Sequence, residues 1–132
     1  MRVLPRSVAG WTIAVFGLMA AVFGTVGLVS PQTVAAGAGF GALSGDGRVF
    51  ATASSMASLN MGVYYLVATA TEWRAFFRFT VPFRLLTFTV FTLLVVTEVA
   101  PAAFFGVAAW EAAGAIATGI GLLADRRRHT RS

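Results

Sequence analysis

The chain has 132 residues, of which 58% are hydrophobic and 11% charged. Its mean hydropathy is +0.80. A soluble domain of this size needs about a quarter of its residues charged to clothe its surface, so a water-soluble globule is excluded and a membrane protein is expected. The net charge of +5 resides wholly in arginines, and in such a chain they read as topology signals and contacts to anionic headgroups rather than as a nucleic-acid face.

Absence of cysteine removes disulfides, thiolate metal sites and CxxC redox chemistry. The single histidine, His129, is in the tail, so a haem held by two histidines of this chain is excluded. No cofactor or metal is expected.

The first apolar block spans 8–29, 22 residues without a charge after Arg2 and Arg6. It exceeds the roughly 7–15 residues of a signal-peptide core and is expected to be a retained transmembrane helix. Gly10, Ala14, Gly17, Ala21 and Gly24 alternate steps of four and three, a small-residue stripe that lets another helix approach closely. Residues 30–48, SPQTVAAGAGFGALSGDGR, read as a glycine-rich outer loop capping the bundle. GAGFGA at 37–42 lacks both the preceding strand and the lysine of a phosphate-binding loop.

A second block covers 49–71, with a small stripe at Ser54, Ser58 and Gly62. Asn60 falls near its midpoint on nearly the opposite face. A side-chain amide in hydrocarbon needs a hydrogen bond, so Asn60 is expected to face protein, as interhelical glue before ligand contact. TEWRAFFRF at 71–79 then brings Arg74, Arg78 and an interfacial Trp73. The third block covers 79–100, with Pro82 in its first turn, Arg84 soon after, and Glu98 near its far end. The fourth covers 102–124, with Ala109, Ala113, Ala117 and Gly121 as a further stripe, and a basic tail, 125–132, follows.

Four blocks of about 22 residues match a hydrocarbon core of roughly 30 Å at 1.5 Å per residue. The expected fold is therefore all-α, one domain, a polytopic bundle of four transmembrane helices. Arg2, Arg6, Arg74, Arg78 and the four arginines of the tail flank one side, against Arg48 alone on the other. Both termini and the middle connection are thus expected in the cytoplasm.

Within this frame Glu111 and Asn60 fall near the midplane, Arg84 nearer the cytoplasmic face, and Glu98 at the outer interface. A mid-membrane carboxylate is protonated, paired or facing a wet cavity. Arg84 precedes the tight turn near Pro101 by about 16 residues and Glu111 follows it by about 10, an axial offset of roughly 9 Å that extended side chains bridge. The competing arrangement is a neutral Glu111 donating to Asn60. Unpaired, Glu111 suits a proton-coupled carrier; paired with Arg84, it suits a structural tie.

The glycine-rich first helix, Pro31 after it, the glycine-rich loop, FRLL at 83–86 and WEAAGA at 110–115 together resemble the DoxX-like, or BphX-like, four-helix membrane proteins of bacteria. The resemblance implies a bacterial cytoplasmic membrane, supports Arg84 and Glu111 as the residues to watch, and carries no agreed activity. Some DoxX-type members are membrane subunits of quinone-linked oxidoreductases. Relatives often carry an acidic residue followed by glycines in helix two, where this chain has Ser54, Ser55 and Asn60.

No Ser/His/Asp set, metal cluster or hydrolytic carboxylate pair is present, so no catalytic residue is assigned and no enzyme is expected. The expected role is a non-catalytic accessory or scaffold subunit, partnered by membrane lipids and by other membrane subunits or a second copy of itself. The alternatives are a proton-coupled transporter using Glu111, and a lipid- or quinone-binding protein in which Arg84 with Tyr64 or Tyr65 supplies the polar contact.

Overall fold

A computed structural model describes residues 3–131. Arg2, counted above among the basic residues of the N-terminus, and Ser132, the end of the tail, lie outside the described residues. Among the described residues the chain is helical throughout, without strands: α1 (Val8–Val29), α2 (Pro31–Gly37), α3 (Gly45–Ala70), α4 (Arg74–Val96), a 3₁₀ turn (Ala102–Phe104) and α5 (Phe105–His129).

Three helical stretches are long and apolar enough to cross a membrane: Val8–Val29, Arg74–Val96 and Ala102–His129. The 26-residue α3 is long enough, but its serines, threonines and Asn60 keep it out of that set. The surface is that of a membrane protein. Phe50, Phe83 and Ile120 are 74%, 62% and 61% exposed, whereas the fully buried apolar core is little more than Ala9, Ile13, Ala68, Phe77, Ala108 and Ala115. Water would penalise such a surface, and lipid does not.

The long helices lie antiparallel in the spatial order α3–α1–α5–α4. Contacts of Gly17 with Tyr65 and of Gly24 with Ser55 run α1 and α3 in opposite directions. Thr12 with Thr118 and Phe16 with Trp110 do the same for α1 and α5, as do Arg84 with Glu111 and Phe88 with Phe105 for α4 and α5. The α3 helix leans almost wholly on α1 and touches α4 only sparingly.

The α1 stripe does what its spacing promises. A Cβ added at Gly24 would sit 2.7 Å from the Ser55 carbonyl oxygen, and one at Gly62 2.6 Å from that of Gly17. On α3 the packed serines are Ser55 and Ser58; Ser54 is exposed. The α5 stripe is corrected: Ala109 and Ala113 are exposed, and the buried face is Ala108, Ala115, Thr118 and Gly121. Steps of four drift by roughly 40° each on a helix of 3.6 residues per turn, so the three steps from Gly121 back to Ala109 leave the packed face. Alternating fours and threes do not drift in this way.

Several boundaries also move. α3 begins at Gly45, α4 at Arg74, and α5 runs on to His129. The expected loop therefore contains α2 and the first turn of α3, and the expected tail continues α5. Pro82 lies inside α4 rather than in its first turn. The cause is the 71–73 turn: Trp73 N–H donates to the Ala68 carbonyl (2.9 Å) and Glu72 N–H to that of Thr69 (3.2 Å), with Glu72 at φ +50. That Schellman cap ends α3 so tightly that the next helix starts at once.

At the other end the 30–48 segment is pinned by Gln32, whose Oε1 accepts from Leu43 N–H at 2.7 Å. Phe40 meets Phe104, and Gly39, at φ +87, sits where a Cβ would strike Ala103. The loop thus covers the α4–α5 turn.

Candidate functional site

Arg84 projects from α4 and Glu111 from α5 to form an ion pair, Nε donating to Oε2 at 3.1 Å. The arginine side chain is 7% exposed and the glutamate side chain 23%. The arginine is therefore buried and the glutamate partly so, and in apolar surroundings each needs the other.

The guanidinium is enclosed by rings. Its Cζ is 4.6 Å from the Phe16 centroid and 5.5 Å from that of Tyr65, contacts that stabilise a desolvated cation by up to about 2 kcal/mol. Phe16 is held in turn by Trp110 at 4.4 Å. Arg84 Nη1 is buried and makes no hydrogen bond. Room for the head exists because position 114 is glycine: any Cβ there would strike the guanidinium. Trp110, Glu111 and Gly114, three of the six residues of WEAAGA, thus build one socket, and α1 and α3 close it through Phe16 and Tyr65.

The structure accordingly brings together Arg84, Glu111 and Tyr65 of the sequence candidates. Glu111 is bonded to Arg84, so the arrangement with a neutral Glu111 donating to Asn60 is not the one formed. Asn60 is half-buried on α3 outside this cluster, and the expected interhelical glue comes from Ser58, whose Oγ donates to the Ala20 carbonyl at 2.9 Å. They stand two positions apart, which on a helix puts them on nearly opposite faces. Tyr64 is 57% exposed. Glu98 is exposed in the α4–α5 turn, at φ +61.

Two acidic residues of consequence escape a reading by composition. Asp125 sits in what looks like a basic tail, yet it is 5% exposed. Its Oδ1 accepts from Val8 N–H at 3.0 Å and its Oδ2 from Ala9 N–H at 3.1 Å. With Ser7 Oγ accepting from Gly10 N–H, the free donors at the start of α1 are satisfied, and the carboxylate meets the positive end of that helix dipole. Arg74 lies 3.7 Å from the same carboxylate. Glu72 accepts from Arg6 N–H at 3.0 Å. The sequence clue was Ser7 before an uncharged helix start, which asks for an anion from elsewhere.

The arrangement can hold four helices in register. The Glu111 carboxylate has the Arg84 guanidinium as its partner. Among the described residues, no group of three or more His, Cys, Asp or Glu could hold a metal ion. Against protein-family models, curated proteins and solved structures, the chain finds no match.

Proposed function

We propose that this chain is a small integral membrane protein acting as a non-catalytic accessory or scaffold subunit of a larger membrane assembly. The observation that carries the proposal is the Arg84–Glu111 pair at 3.1 Å inside a ring of aromatic side chains. A carboxylate fixed on a guanidinium in this way ties α4 to α5, whereas coupled transport through Glu111 asks for a carboxylate free to change partners.

In this reading all four long helices cross the bilayer, α3 as the fourth, with Ser55 and Ser58 turned toward α1. Arg6, Arg74 and the arginines after Asp125 gather at one end through the contacts of Asp125 and Glu72. That gathering supports a cytoplasmic position for both termini and the α3–α4 turn. The resemblance to DoxX-like proteins supports a bacterial cytoplasmic membrane and a subunit role. The quinone-binding alternative, which asks for Arg84 with Tyr64 or Tyr65, has Arg84 beside Tyr65, but the guanidinium there is already taken up by Glu111.

The test is purification from native membranes in a gentle detergent, with mass spectrometry of what co-elutes. A stoichiometric protein partner is expected. A clean homodimer without partners, together with proton flux in liposomes that Glu111→Gln abolishes, overturns the proposal in favour of transport.

A further inference from the structure

The arginine-rich end carries a feature that the helix tie does not use. Between α4 and α5 lies a cleft of about 370 Å³ whose walls include Arg74, Arg78, Val81, Gly119, Leu122 and Arg126. A second hollow of about 540 Å³ shares Arg74, Arg78 and Arg126 and adds Arg127. The spacing explains the walls. Arg74, Arg78 and Pro82 follow at steps of four along one face of α4, and Gly119, Leu122 and Arg126 at steps of three and four along one face of α5. The result is a cationic rim above an apolar slot.

The charge is only partly compensated. Arg74 is balanced by Glu72 at 4.0 Å and Asp125 at 3.7 Å. Among the described residues, Arg78, Arg126 and Arg127 pair with no carboxylate. Four arginines against two carboxylates leave a local excess of two positive charges. The slot below is open at Gly119, where an added Cβ would find only Val81 Cγ1, 4.0 Å away.

We infer that this cleft binds one anionic phospholipid, its headgroup phosphate on Arg78, Arg126 and Arg127 and the start of an acyl chain in the slot along Val81, Gly119 and Leu122. The inference rests on the membrane reading above. The complementarity is twofold: three unmatched guanidiniums take the phosphate oxygens in the manner arginine favours, and the apolar slot continues from them toward the bilayer. A soluble anion would use the rim and leave the slot empty.

The test is native mass spectrometry of the full chain in detergent, titrated with phosphatidylglycerol, phosphatidylcholine or inorganic phosphate. Retention of phosphatidylglycerol over phosphatidylcholine is expected. Arg78→Gln and Arg126→Gln should each weaken it about fivefold, the effect of one basic side chain at an anionic surface, while Arg131→Gln, with the same charge loss, changes it less than twofold. Gly119→Leu, which fills the slot without touching the charge, should weaken phosphatidylglycerol and leave phosphate unaffected; its melting temperature shows whether it folds. Equal losses for Arg131→Gln and the cleft variants, equal retention of the two lipids, or full competition by phosphate overturns the inference. Alkaline extraction of native membranes separates the two failures. Release of the chain sinks the membrane reading itself, whereas a chain that stays in the membrane but shows no lipid preference sinks only this site.

Discussion

The α1–α3 seam and the α4–α5 seam join helices of similar length by opposite means. In the first, Gly17, Gly24 and Gly62 bring backbone against backbone, and a single hydroxyl bond from Ser58 crosses between helices. In the second, bulky side chains surround an ion pair, and the helices part toward the arginine end into a cleft. Lipid tails are as apolar as leucine, so neither seam gains from hydrophobic burial as a soluble core does. The first seam is therefore sensitive to volume and indifferent to charge. The second is sensitive to charge and, at Gly119, tolerant of volume.

The sharpest way to break the first seam is Gly24→Leu. The Cβ itself collides with α3 backbone, so no rotamer relieves it. The loss should exceed about 3 kcal/mol, the upper range of overpacking, and appear as a chain that no longer elutes as a folded species in detergent. Next comes Glu111→Leu in the second seam. Removing one partner of a buried pair leaves Arg84 uncompensated and should cost about 3–5 kcal/mol, read as a lowered unfolding midpoint. A change below 0.5 kcal/mol there would mean that α4 and α5 do not depend on the pair.

Smaller effects sharpen the contrast. Asp125→Ala strips two backbone N–H groups of their acceptor and should cost about 1–3 kcal/mol, with hydrogen exchange at Val8 and Ala9 rising first. Loss spread evenly along α1 would argue against a local cap. Asn60→Leu should change stability by less than about 0.5 kcal/mol, since Asn60 belongs to neither seam. A drop comparable to that of Glu111→Leu would restore Asn60 as an interhelical tie.

The parts of this molecule legible in the sequence are those set by one-dimensional periodicity. The bounds of α1 read correctly because both its ends are marked by polar residues, and its glycine stripe because steps averaging 3.5 hold one face. Arg84 and Glu111 were legible as one of two arrangements, beside Glu111 with Asn60, because a short turn fixes the relative height of α4 and α5. What stayed hidden depends on three-dimensional closure. The socket needs Phe16 and Tyr65 from helices remote in sequence; Tyr65 stood among the candidates only as one of two neighbouring tyrosines, and nothing local marks Phe16. Asp125 was obscured by the arginines around it, since its partner is the start of α1, more than a hundred residues away. The onset of α4 was obscured by Pro82, whose ordinary place is a first turn, while the Schellman cap at 71–73 decided otherwise.

Whether Arg84 and Glu111 form a structural tie is decided by a double-mutant comparison of unfolding in detergent. Glu111→Leu alone should lower the midpoint sharply. Arg84→Met combined with Glu111→Leu should recover most of that loss, because a buried ion pair replaced whole by apolar side chains is often neutral or stabilising. The predicted result is a double variant more stable than either single one. A double variant as unstable as the sum of the two, or single variants that melt like the wild type, would contradict the account.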